Sequence, residues 1–200
     1  GDHFYALSTT DSTSTESNGS GNQTWDWGFS LVPDDALTPQ VLVGLGIGRD
    51  PTSSSRPSEN GSPVWVTPIG NGNTKVRVYV DYDSDPTTGS ANGVDPNGNK
   101  YDAYYDLREL VSQKIFNPSG DQTGVLVYTV QDGVKLAAAW GADPKNTSPG
   151  APGLDFGTGI PPLPAFYMQK TSSLQVDSDG DGYITPNDVI HYDILIENIG

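Results

Sequence analysis

From Trp25 onward the chain alternates short apolar runs with clusters of Gly, Pro, Asn and Asp, the punctuation of strands joined by turns. Val41-Leu-Val-Gly-Leu-Gly-Ile47 has the length of a buried strand. Val64-Trp-Val-Thr-Pro-Ile69 leads through Gly70-Asn-Gly-Asn73 to Lys75-Val-Arg-Val-Tyr-Val-Asp81. In that last segment Val76, Val78 and Val80 alternate with Lys75, Arg77 and Tyr79, the period of a half-buried strand. Gly124–Val130 and Val134–Trp140 flank Gln131-Asp-Gly133, which predicts a hairpin. Residues 101–116 read two ways. Tyr104, Leu107, Val111 and Ile115 would fit a helical stripe, but in all-β company a strand is expected, with a short helix as the open alternative. After Pro161, Pro162 and Pro164, which make a stiff linker, Phe166–Val176 and Val189–Ile199 read as two further strands. In the second, Ile190, Tyr192, Ile194 and Ile196 share one face.

The fold class expected is therefore all-β: a β-sandwich, jelly-roll or Ig-like, over residues 25–160. Residues 1–24 form a polar N-terminal segment, low in complexity over 8–24, as a surface loop or linker. Residues 161–165 are the linker, and 166–200 begin a second domain. Two strands cannot bury a core alone, so the chain is expected to stop inside a domain. Gly1, with neither an initiating Met nor a signal peptide before it, reads as a processed start.

Composition supports this picture. Gly (24) and Pro (16) make a fifth of the 200 residues, too much for a helical protein. Ten basic against 25 acidic residues give a net charge of −15, which repels nucleic-acid phosphates and attracts divalent cations. Cysteine is absent, so disulfides, thiol chemistry and sulfur-built metal sites are excluded. An extracellular protein without disulfides needs other staples, and bound metal is one. No run approaches the roughly 18 apolar residues that a membrane-spanning helix needs.

The most informative segment is Asp177-Ser-Asp-Gly-Asp-Gly-Tyr-Ile-Thr-Pro-Asn-Asp188. Asp177, Asp179 and Asp181 occupy the first, third and fifth positions of an EF-hand-type loop, and Gly182 its sharp turn. Tyr183 falls where a backbone carbonyl ligates, and Asp188 closes the loop. Calcium wants roughly six to eight oxygens, and this spacing supplies most of them from one loop. The alternative is a solvated Asp/Gly turn, whose clustered carboxylates would repel one another. Asp188 stands where sensor loops carry Glu, and its shorter side chain reaches an ion less readily with both oxygens. The loop therefore reads as structural rather than as a switch.

A second calcium site is an open alternative to solvated surface. Asp81, Asp83 and Asp85 recur at period two, and the stretch from Asp95 to Asp102 offers more oxygen ligands. Trp25 and Trp27, two apart, could stack a sugar. Set against that is core packing for these two and for Trp65 and Trp140. His3 and His191 are too scattered for a zinc site. No catalytic residue is identified, because nucleophile elbow, HExxH, phosphate loop and GxGxxG are all missing. Asn18, Asn22, Asn60 and Asn146 each open an Asn-x-Ser/Thr sequon, a glycan site only if the enzyme that reads it is met.

The calcium loop resembles those of dockerins and of bacterial surface repeats. From Thr171 to Gly200 the chain resembles the start of the Ig-like repeat found in tandem in large prokaryotic surface proteins. Asp188, Ile190, Tyr192, Ile194, Asn198 and Gly200 fall on that family's places, and Asn187 replaces its usual Gly. Residues 166–200 would then be an incomplete Ig-like repeat. Ser62–Ile69, Val80–Asp85, Asp95–Asn99, Asp121–Gly124 and Ala138–Pro144 are similar to the amino-terminal adhesin domain of IgG-Fc-binding-like proteins. These resemblances imply a secreted or cell-surface, calcium-binding, non-enzymatic structural or adhesin module. Its partners would be neighbouring repeats or other copies of itself, joined by strand addition into a filament, or a surface glycan or protein. The alternatives are a calcium-dependent carbohydrate-binding module, a dockerin-like module (which would need a second loop) and a domain of a larger hydrolase.

Overall fold

The computed structural model describes residues 7–10, 27–50, 61–90, 93–141, 157–164 and 166–198. The chain forms two compact units, Gly1–Leu163 and Pro164–Gly200. Among the described residues regular structure is β apart from one 3-10 turn at Asp34–Ala36, and every strand pair is antiparallel. The all-β sandwich expected from the sequence is the fold found.

The first unit holds ten strands: β1 Leu7–Thr10, β2 Trp27–Ser30, β3 Gln40–Leu42, β4 Val64–Ile69, β5 Val76–Asp81, β6 Ala103–Leu107, β7 Gln113–Ile115, β8 Leu126–Tyr128, β9 Lys135–Gly141 and β10 Gly157–Ile160. Two four-stranded sheets run β10-β9-β4-β7 and β3-β8-β5-β6, and β1 and β2 pair separately. Alternation along each strand turns one row inward. Val64 and Val66 of β4, Ile115 of β7, and Leu136 and Trp140 of β9 meet Val76, Val78 and Val80 of β5, Leu107 of β6 and Val127 of β8 in one core. Fully burying an aliphatic side chain of this size is worth about 1.5–3 kcal/mol, so this valine-rich layer is the main adhesive of the unit.

Residues 101–116 resolve as β6 and β7, the strand reading. The hairpin expected at Gln131–Gly133 is not one. β8 pairs with β3 and β5, whereas β9 pairs with β4 and β10, so the turn carries the chain from one sheet to the other. A corner at Thr38–Pro39 takes the bonds that a hairpin would have closed internally. Thr129 N–H donates to the Pro39 carbonyl at 2.9 Å, and Leu136 N–H donates to that of Thr38 at 2.9 Å. The run Val41–Ile47 is strand only over Gln40–Leu42: Val41 and Val43 are buried, while Leu45 and Ile47 are exposed.

β5 differs from the half-buried expectation. Val76, Val78 and Val80 point into the core, yet Tyr79 and Asp81 on the opposite face are buried too. The described residues between Tyr82 and Asp102 fold back over that face. Among them, the Tyr101 ring sits 4.9 Å from that of Tyr79, which stacks at 5.3 Å on Tyr128.

The second unit is a two-stranded ribbon, β11 Phe166–Val176 and β12 Val189–Asn198, with the loop 177–188 at its tip. Tyr192, Ile194 and Ile196 are exposed on it, and Lys170 Nζ lies 4.2 Å from the centre of the Tyr192 ring.

Candidate metal sites

At the ribbon tip, carboxylate oxygens of Asp177, Asp179 and Asp188 lie within 4.8 Å of one another. Backbone donors impose the arrangement. Gly180 and Gly182 N–H groups donate to the two oxygens of Asp177 at 2.7 and 2.9 Å. Ser178 and Thr185 N–H groups do the same for Asp188 at 2.8 and 2.7 Å. Gly180 and Gly182 have φ of 75° and 78°, a left-handed conformation in which glycine is unstrained. Asn187, where the resemblance has Gly, adopts φ 86°. The Gly182 and then the Gly180 N–H hold the Asp177 carboxyl below the usual range; Ser178 and Thr185 N–H groups do so for Asp188.

Asp179 accepts the Thr185 hydroxyl at 3.0 Å. Asp181 stands outside the converging group, its carboxylate accepting Tyr183 N–H at 2.7 Å. The Tyr183 side chain is exposed. Among the described residues no Lys, Arg or His ion-pairs with these carboxylates; His191 lies against Asp193, at 3.1 Å. The donor set is all oxygen, which suits a hard cation.

A second group combines Asp81, at the end of β5, with Asp83 and Asp102, again with oxygens within 4.8 Å. Asp81 is 1% exposed. Asp83 N–H donates to its Oδ1 at 3.2 Å. Burial first, and then a shared hydrogen with Asp83, push the Asp81 carboxyl up to about 6. Asp83 is lowered, first by the Asp85 N–H and then by the Thr88 hydroxyl. Asp102 accepts Tyr82 N–H and Ser90 N–H, each at 2.7 Å, and so ties both ends of the loop together.

Two residues expected at this second site lie elsewhere. Asp85 is exposed and bonded to Thr87, and Asp95 is buried within its own turn, accepting Asn97 and Asn99 N–H at 2.8 Å each. Of the stretch from Asp95 to Asp102, it is Asp102 at its end that joins Asp81 and Asp83, brought there by a loop closure that sequence spacing does not reveal.

The remaining candidates contribute less. Trp140 is in the core, and the Trp65 ring lies 5.1 Å from Lys114 Nζ. Trp25, His3 and the sequons at Asn18, Asn22, Asn60 and Asn146 fall outside the described residues, as does the side chain of Trp27. No helix among the described residues is long and apolar enough to cross a membrane. No family model, curated protein or solved structure matches this chain.

Proposed function

We propose that this chain is a non-enzymatic, extracellular structural or adhesin-like module whose ribbon tip is stiffened by calcium. The observation that carries the reading is the convergence of Asp177, Asp179 and Asp188 oxygens within 4.8 Å, in a loop of calcium-binding pattern with no cationic side chain. Calcium fits better than zinc or copper because histidine and thiolate are missing from the donor set. Asp181 and the Tyr183 carbonyl complete the shell in the loop pattern. An ion there would neutralise carboxylates that backbone N–H groups and the Thr185 hydroxyl now hold together, and would fix the loop that joins β11 to β12.

The resemblance of 171–200 to tandem surface repeats supports a secreted or cell-surface setting, with neighbouring repeats or other copies of the chain as partners. The absence of any activated nucleophile motif supports a non-enzymatic role. Thermal melting after chelation and again with added calcium tests the core of the reading. The midpoint of the ribbon's transition is expected to rise with calcium, and Asp179→Ala with Asp181→Ala should abolish most of that rise. Coincident curves with and without calcium would overturn it.

A further inference from the structure

Asparagine followed by glycine is a weakly guarded junction, because glycine has no side chain to keep the asparagine amide away from its nitrogen. Among the described residues two such pairs occur, both in turns: Asn71-Gly72 between β4 and β5, and Asn97-Gly98 between β5 and β6. The fold treats them oppositely. Asn71 is 6% exposed, and its amide nitrogen donates to the Thr74 carbonyl at 2.8 Å and to the Leu107 carbonyl at 3.4 Å. Asn97 is exposed, and among the described residues its side-chain amide makes no hydrogen bond; only its backbone N–H is held, by Asp95 Oδ1 at 2.8 Å.

The glycines do not make the difference. Gly72 and Gly98 have φ of 56° and 90°, and a Cβ placed on either would meet nothing within 4 Å. What separates the pairs is the freedom of the asparagine. To bring its amide carbon onto the Gly72 nitrogen, Asn71 must break two hydrogen bonds to main-chain carbonyls in a buried place. Asn97 has only to rotate in water. One bond guards its junction, the turn bond from Gly98 N–H to the Asp95 carbonyl at 3.0 Å. A single turn bond at an exposed site opens locally at small cost.

We infer that Asn97 is a site of spontaneous deamidation and that Asn71 is not. The Gly98 nitrogen gives its proton to solvent base and bonds to the Asn97 amide carbon. The carbon–nitrogen bond of the side-chain amide breaks, and ammonia leaves with a proton from solvent. The resulting succinimide takes up water at either carbonyl and opens to aspartate or iso-aspartate. The sum is amide plus water to acid plus ammonia, with no oxidant and no co-reactant. The structural consequence is local. The buried Asp95 carboxylate gathers Asn97 N–H, Asn99 N–H and the Asn99 amide, and Asp95 N–H donates to the Asn99 carbonyl at 2.8 Å. Iso-aspartate lengthens the main chain between residues 97 and 98 by one methylene, which this closed turn cannot absorb. The new carboxylate also repels that of Asp95. The turn 95–99 is therefore released in one direction only.

Ageing the full chain in mildly alkaline buffer at body temperature, followed by peptide mapping with mass spectrometry, tests this. In the folded chain, conversion at residue 97 is expected to run about tenfold or more ahead of conversion at residue 71. In urea the two should convert at similar rates, which assigns the difference to the fold. Amide exchange at Gly98 and Asn99 should quicken in the aged wild type. It should stay slow in an Asn97→Gln chain aged beside it, which keeps the main-chain bonds of the turn and shares any change at Asn-Gly pairs elsewhere. The measurement involves no metal, so its outcome does not depend on the calcium reading. Residue 97 remaining an amide in the folded chain while converting in urea overturns the proposal, as does equal conversion of residues 71 and 97 in the folded chain. Unaltered exchange at Gly98 and Asn99 in converted protein overturns the release of the turn.

Discussion

In the metal-free protein, Asp81 should make stability fall as pH rises. Its carboxyl, ordinarily titrating at 3.8, is pushed up to about 6 by burial and by the shared hydrogen with Asp83. The native state therefore keeps a proton, between about pH 4 and about pH 6, that the unfolded chain has already released. When the native state binds more protons, unfolding becomes easier as pH increases. At about 1.4 kcal/mol for each tenfold separation, the gap from 3.8 to about 6 corresponds to about 3 kcal/mol. That stability is present below about pH 4 and lost above about pH 6. Asp83 shifts the other way, so its own contribution appears above its unfolded value and fades only as pH falls below about 4.

Asp81→Asn replaces the carboxyl with a neutral group of the same size and removes the titration. Urea unfolding of both proteins, freed of metal on a chelating resin, should be compared at about pH 4.5 and about pH 7. The wild type is expected to lose about 2 kcal/mol more than the variant over that interval. The net charge of −15 also favours acidification, but it acts almost equally on both chains, so their difference isolates Asp81. Parallel pH curves for the two proteins would refute the reasoning.

Other perturbations test the fold directly. Leu136→Ala opens a cavity at a fully buried core position and should cost about 2–5 kcal/mol in urea unfolding; a loss below about 1 kcal/mol would contradict the described packing. Gly48→Ala places a methyl group against the Ser62 carbonyl oxygen and 2.9 Å from the Ser62 nitrogen. Backbone atoms cannot step aside as a side chain can, so a lowered melting midpoint is expected, whereas Gly44→Ala, with open space around it, should change it little. Removing residues 189–200 takes away the exposed Ile194 and Ile196 and should abolish any concentration-dependent light scattering. Unchanged assembly would refute strand exchange through this segment.

How much of this was legible in the sequence depends on which physical rule carried the signal. The valine alternation at Val76, Val78 and Val80 predicted β5 and its inward face, because a period of two is intrinsic to the strand. The spacing of Asp177, Asp179 and Asp188 placed three carboxylates together, because a twelve-residue loop has few ways to close around two left-handed glycines. What failed were inferences about which sheet a strand joins. Gln131-Asp-Gly133 is good turn chemistry, but turn chemistry says only that the chain reverses. The two valine-lined faces then chose between continuing one sheet and crossing to the other, and burial of Val127 and Leu136 in the common core settled it.

Asp102 shows the same limit at the level of a site. Nothing local distinguishes it from the other acids of its loop. It reaches Asp81 because Tyr82 and Ser90 N–H groups both converge on its carboxylate, and because Tyr101 anchors the preceding residue on Tyr79. A short loop writes its ligands in their spacing, whereas a long one writes them in the packing that closes it. The ribbon tip and the Asp81 cluster therefore call for different tests. Substituting ligands can interrogate the tip. The second cluster should also respond to Tyr101→Ala, which keeps every carboxylate and removes only the ring that seats the loop. If Asp102 depends on that seat, this variant should lose slow exchange at Tyr82 and Ser90 while the ribbon tip is unaffected. Unaltered exchange at both amides would mean that Asp102 holds the loop by its hydrogen bonds alone.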